Sequence, residues 1–141
     1  MNKKTRLLTL IAIVLCLTSC EDKHNHLGDL NGNWQLTSWT QNDDGTLRAD
    51  KTSGIYYSIS IELLKIWSTG TQSKYYITTF RHTSDSLILT RAYASPFDSI
   101  VEMKDLSAYG VPLDGAFRIT TLDNKHLTLT SKEACLEFRK N

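Results

Sequence analysis

The sequence predicts an all-β fold: a small antiparallel up-and-down barrel of about eight strands, with one short helix near residues 103–110. Three observations lead there. Ile55, Tyr57, Ile59, Ile61 and Leu63 alternate with Ser58, Ser60 and Glu62, the period of a half-buried strand. The last quarter of the chain repeats that alternation three times between turn residues. Only residues 99–110 space their apolar side chains as a helix would.

Taken in order, residues 34–40 form a first strand that ends at Asn42-Asp43-Asp44-Gly45, where Asp-Gly favours a hairpin turn. Residues 55–63 are expected as one long strand. Residues 75–82 and 87–93 flank Thr83-Ser84-Asp85-Ser86 as a hairpin. Further on, Ser99 followed by Glu102 mimics a capping box, Met103, Leu106 and Tyr109 recur every three residues, and Gly110 suits a C-cap. Alternatively, Ile100-Val101 ends a strand and a shorter helix covers 104–109; Pro112 stops either version. Phe117 and Ile119, Leu127 and Leu129, and Leu136 and Phe138 then mark a terminal meander, with Asp123-Asn124-Lys125 as its first turn. Closing such a sheet removes its exposed edges, and an open sandwich is the alternative. The interior of an eight-stranded barrel is either filled by side chains or just wide enough for one small ligand.

The N-terminus is a different kind of segment. Lys3, Lys4 and Arg6 precede an apolar run over residues 7–17, far short of the ~20 residues a membrane span needs but suited to a secretory signal. Leu17-Thr18-Ser19-Cys20 resembles the bacterial lipobox, in which the cysteine thiol takes a diacylglycerol and the chain is cleaved just before it. The expected division is a lipoprotein signal peptide over 1–19, lipidated Cys20 with a polar tether to residue 31, and a domain over 32–141. Two or three acyl chains anchor firmly, since each buried methylene adds ~0.8 kcal/mol. Glu21 and Asp22 resemble the acidic signals that send some Gram-negative lipoproteins to the outer membrane, on its periplasmic or its outer face.

The 16 basic and 15 acidic residues give a net charge of +1. Without residues 1–19, 13 basic and 15 acidic side chains remain, a net of −2. That balance offers no footprint for nucleic acid and argues against a polybasic membrane patch. Of the three cysteines, Cys16 leaves with the signal and Cys20 is lipidated, so Cys135 has no disulfide partner. It sits in the terminal strand pattern, as a small half-buried residue rather than a nucleophile.

Gly32-Asn33-Trp34 at the first strand and Leu136-Glu137-Phe138-Arg139 at the last resemble the lipocalin superfamily, whose first strand carries Gly-x-Trp and whose last carries an Arg on that Trp. The resemblance implies that Trp34 and Arg139 close one end of the barrel, indole beneath guanidinium. More closely, the lipobox, Leu30-x-Gly32-x-Trp34 and the Leu-x-x-Tyr-Gly-Val segment from Leu106 to Val111 are similar to small lipocalin-like lipoproteins of Gram-negative bacteria. That likeness covers residues 30–140 and implies a fold and a location.

No motif of catalysis or cofactor binding is present: there is no phosphate-binding glycine loop, nucleophile elbow, Cys-x-x-Cys or His-Glu-x-x-His. Asn42-Asp43-Asp44-Gly45 fails as a calcium loop, because the register puts Thr40 first and Lys51 last. His24 and His26 on a tether make a poor metal pair, and His82 and His126 show no carboxylate partner in sequence. Neither an enzyme nor a cofactor is expected. Asp85-Ser86-Leu87 and Asp98-Ser99-Ile100 resemble an O-glycosylation sequon, which would modify Ser86 and Ser99, although Asp-Ser is also ordinary turn chemistry.

Two functions stay open. One is binding of a small apolar ligand inside the barrel, lined by Ile55, Tyr57, Ile59, Ile61, Leu63, Phe117 and Phe138, with Tyr75 or Tyr76. The other is an interaction or inhibitor protein with a filled barrel, using loops 42–54 and 95–114 and, if exposed, Trp39 and Trp67.

Overall fold

The structure, a computed structural model, describes residues 27–70, 74–96 and 99–141. Ten strands are formed among them: β1 (Gly32–Gln41), β2 (Leu47–Asp50), β3 (Ile55–Ser60), β4 (Leu63–Ser68), β5 (Tyr75–His82), β6 (Ser86–Ser95), β7 (Ser99–Val101), β8 (Ala116–Leu122), β9 (His126–Thr130) and β10 (Ala134–Lys140). Neighbours pair antiparallel in the order β1-β3-β4-β5-β6-β8-β9-β10, and β10 returns to β1 to close an eight-stranded barrel. Closure leaves no long open edge. The two extra strands are short. β2 continues the β3 side of β1 along Ser38–Thr40, and β7 continues the β8 side of β6 along Ala92–Ala94.

The hairpins at 83–85 and 123–125 form where turn chemistry predicts them. Asp123 accepts from the backbone N–H groups of Lys125 and His126 at 2.7 and 2.8 Å, which holds its carboxyl below the usual range. One strand differs from expectation. Residues 55–63 are a hairpin: β3 ends at Ser60, Ile61 and Glu62 turn, and Ser60 faces Leu63. Past the turn the inward positions are Leu64 and Ile66, both fully buried, so Ile61 (54% exposed) and Leu63 (48%) face outward. Their place in the predicted inward stripe is therefore corrected.

The short helix is a 3-10 helix over Met103–Tyr109, capped by Gly110 in the left-handed region. Its box is built by Asp105, whose Oδ2 accepts from the Glu102 N–H at 2.9 Å. Ser99 is not the cap; it belongs to β7, as the shorter-helix alternative required. Tight turns over Gly28–Leu30 and Lys51–Ser53 were not anticipated. Leu27 and Leu30 are buried in the core, so residues 27–31 belong to the domain rather than to a polar tether. Cys20 and residues 21–26 lie outside the described residues.

Inward side chains fill the barrel. Trp34, Leu36, Tyr57, Ile59, Leu87, Leu129 and Phe138 are at most 2% exposed and belong to one continuous core. The Tyr57 and Phe138 rings meet at 4.8 Å between centroids.

Candidate functional site

At the end where β1 begins, the turn over Gly28–Leu30 seals the barrel. The Trp34 indole donates its Nε1 hydrogen to the Leu30 carbonyl at 2.9 Å. The cation over its ring is Lys140, 4.7 Å from the centroid, and Lys140 Nζ also donates to the Asp29 carbonyl at 2.7 Å. Gly32 makes this contact feasible: its φ is +147°, and a Cβ there would lie 2.7 Å from Lys140 Cε. Arg139 is exposed and does not cover Trp34, which corrects the expected partner. Strand parity explains the switch. Phe138 points inward, so Arg139 points out and Lys140 comes back over the barrel end.

The opposite end, the mouth, is covered by the helix and the loop that follows it. Leu106 is fully buried there, and the Tyr57 hydroxyl donates to the Tyr109 carbonyl at 2.8 Å. Burial pushes the Tyr57 phenol well above its ordinary value. The Tyr76 ring meets Tyr109 edge-on at 5.6 Å, so of the two tyrosines at 75 and 76 the second is the inward one. Ile55, Tyr57, Ile59, Phe117 and Phe138 are all buried in the core.

A cleft of about 180 Å³ remains beside this cover, between the ends of β1 and β10 and residues 107–113. Trp39, Gly110, Val111, Pro112, Leu113 and Ala134 supply most of its wall. Gly110, in the left-handed region, lies so close to Leu136 that a Cβ would approach its methyls to 2.9 Å, which brings the loop down onto the strand. Trp39 reaches the mouth because of a bulge: the β1–β10 register shifts between Leu36 and Ser38, so Trp39 faces Leu136. Its Nε1 is buried, out of reach of solvent, and has no hydrogen-bond partner among the described residues. Only one signal of this cleft is present in the sequence. Trp39 is five residues from Trp34, an odd spacing that an unbroken strand would send to the outer face.

Trp67 lies on the outer face, stacked on Tyr56 at 4.5 Å, with its Nε1 donating to Ser58 Oγ at 3.3 Å. The two loops proposed as interaction surfaces are partly ordered, one holding β2 and the other β7 and the helix. His126 does have a carboxylate partner, with Nδ1 3.2 Å from Asp123, contrary to the sequence expectation. No group of three or more His, Cys, Asp or Glu residues suited to a metal occurs among the described residues. His24 and His26 lie outside them. Burial, and Glu137 beside it, push the Cys135 thiol up, which disfavours the thiolate. Ser86 is half-buried and shares a 2.7 Å hydrogen bond with Thr83, whereas Ser99 is exposed. Asp98 lies outside the described residues.

A closed barrel of eight antiparallel strands, sealed at one end by a Gly-x-Trp strand and capped at the other by a short helix, is the lipocalin-like architecture. The chain belongs to the lipocalin-like domain family, whose pattern matches residues 15–141. A lipocalin-like protein from Bacteroides uniformis has a similar crystal structure, with a TM-score of 0.59 and 22% identity over 81% of this chain and 100% of that one. A protein from Bacteroides eggerthii follows at 0.56 and 16%, over 79% and 98%. The NMR structure of a protein from Burkholderia xenovorans gives 0.54 and 16%, over 88% and 93%. At these identities the likeness shows the fold. No curated protein matches.

Proposed function

We propose that this is a lipid-anchored lipoprotein of the outer membrane that binds a small apolar or amphipathic molecule in the mouth cleft, without catalysis. The observation that supports a binding site is the cleft itself, whose wall is mainly apolar around Trp39, Val111, Pro112 and Leu113. Burial of a ligand's apolar atoms against Trp39, Val111 and Leu113 would supply its affinity. The cleft holds roughly six waters' worth of volume at about 30 Å³ each, so it suits a small molecule or one end of a longer one. The burial of the inward side chains favours the mouth over the barrel centre.

Anchoring is supported by the lipobox at Cys20 and by the direction of the chain. Leu27 sits at the sealed end, so a tether that enters there approaches the domain opposite the mouth. Native mass spectrometry of protein purified from its own membrane tests the ligand. An adduct that Trp39→Phe weakens about 5–10-fold is expected, because the smaller ring removes part of the apolar wall. Unliganded mass alone, with no effect of Trp39→Phe on any added amphiphile, would refute the site. A palmitate analogue tests the anchor: label lost in Cys20→Ala is expected, and label retained overturns the lipobox. The interaction-protein reading is favoured at the same end by exposed Leu47 and Leu113. Cross-linking from loops 42–54 and 95–114 would test it.

A further inference from the structure

The outer face of β3 to β7 differs from the rest of the barrel. Pairing sets its outward positions in two cross-strand rows, one through Tyr56, Trp67 and Tyr75, the next through Lys65, Ile77 and Tyr93 to Ile100. Lys65 Nζ lies 4.3 Å from the Tyr75 ring centroid and 5.9 Å from that of Trp67. Arg91 Nη1 donates to the Tyr93 hydroxyl at 3.4 Å. Large apolar side chains stay in solvent here: Ile100 is 74% exposed, and Leu63 and Ile61 extend the face to the sealed end. Strands β3 to β7 contain Lys65, Arg81 and Arg91 and no acidic residue. The net of −2 expected without residues 1–19 is an average: these strands carry three cations, and Glu62 and Asp85 lie in the turns at the sealed end.

We propose that this face rests on an anionic bilayer surface, side-on, beside the lipid anchor. Half-buried Trp and Tyr, exposed Ile and Leu, and interspersed Lys and Arg are the mixture that partitions into the headgroup region. Along the strands themselves the charges are Lys65, Arg81 and Arg91, with the acids Glu62 and Asp85 confined to turns at one end. Those cations complement the phosphates of an anionic leaflet. The described chain starts at Leu27, beside the β5–β6 turn at this edge of the barrel. The seven steps from Cys20 reach at most about 25 Å, close to the length of the face, so the anchor holds the patch within contact range. The inference rests on the anchored reading only for this proximity.

The test uses the chain purified from its membrane, with its mass recorded, in vesicles of phosphatidylethanolamine and phosphatidylglycerol. One set carries bromine near the top of the acyl chains. The emission that Trp67→Phe removes should be quenched about twofold or more by brominated lipid, and Lys65→Glu with Arg91→Glu should abolish that quenching. A chain whose mass includes the lipid but whose Trp67 emission is unquenched overturns the proposal. If the mass shows no lipid, the anchored reading fails by itself, and the same quenching with chain added to preformed vesicles decides the face. Unquenched emission with cross-links joining two Trp67 faces would assign the patch to a second copy and also overturn it.

Discussion

Replacing Tyr57 by phenylalanine deletes one oxygen and tests what holds the mouth cover to the barrel. The ring, fully buried, would keep its contact with Phe138 at 4.8 Å between centroids. What disappears is the 2.8 Å hydrogen bond to the Tyr109 carbonyl, the last residue of the helix. A net hydrogen bond contributes ~0.5–1.5 kcal/mol, and an acceptor left without a donor costs ~1–3 kcal/mol. The carbonyl belongs to a surface helix and can reach water by a small opening, so the loss should be about 1–2 kcal/mol. In a domain of this size that corresponds to a fall in Tm of roughly 4–8 °C. Urea unfolding should show a lower midpoint at unchanged slope. Amide exchange should quicken selectively over residues 106–111. A Tyr57→Phe protein within 0.3 kcal/mol of the parent (about 0.3 being the uncertainty of distant effects), with exchange over that segment unaltered, would refute the latch.

Other outcomes follow from the same contacts. The unfolded chain releases the Tyr57 proton near the ordinary phenol value of 10.0, whereas the buried group holds it. Stability is therefore fully present below pH 10 and falls above it by ~1.4 kcal/mol per unit from this group, a slope that Tyr57→Phe should remove in alkaline denaturation curves. Lys140→Met, which strips the cation from Trp34, should cost ~0.5–2 kcal/mol in urea melts, and Arg139→Met should stay within ~0.5 kcal/mol; the reverse order would restore Arg139 as the closing residue. Ile61 is a β-branched residue at φ +52° in a two-residue turn. Ile61→Gly should raise stability by about 0.5–1 kcal/mol, read as a higher urea midpoint, because relief of left-handed strain exceeds the added chain entropy; a lowered midpoint would show that the turn is not strained.

Local chemistry was legible in the residues themselves. Alternation names the side of a sheet on which a residue lies, and Asp, Asn and Gly name the turns, so β1, β5, β6, β8, β9 and β10 and the barrel class could be read directly. The cap at Gly110 was readable for the same reason, and the Gly32-x-Trp34 start through its family resemblance. The proposed lipobox at Cys20 rests on sequence alone. What required the tertiary structure depends on which strand lies opposite. Ile61 and Leu63 continue the parity of Ile59, and nothing local says that a two-residue turn intervenes; only the pairing of Ser60 with Leu63 shows it. Parity did distinguish Lys140 from Arg139, yet the choice became visible only where Trp34 is paired with Lys140 across β1 and β10. An inward stripe looks the same over a full core and an empty one. Whether the barrel is filled depends on how the volumes of Trp34, Tyr57 and Phe138 meet across it, and on a helix from residues distant in sequence that covers its mouth. The cleft at Trp39 follows from those same long-range contacts, because one bulge in β1 turns that indole under the loop carrying Val111 and Leu113.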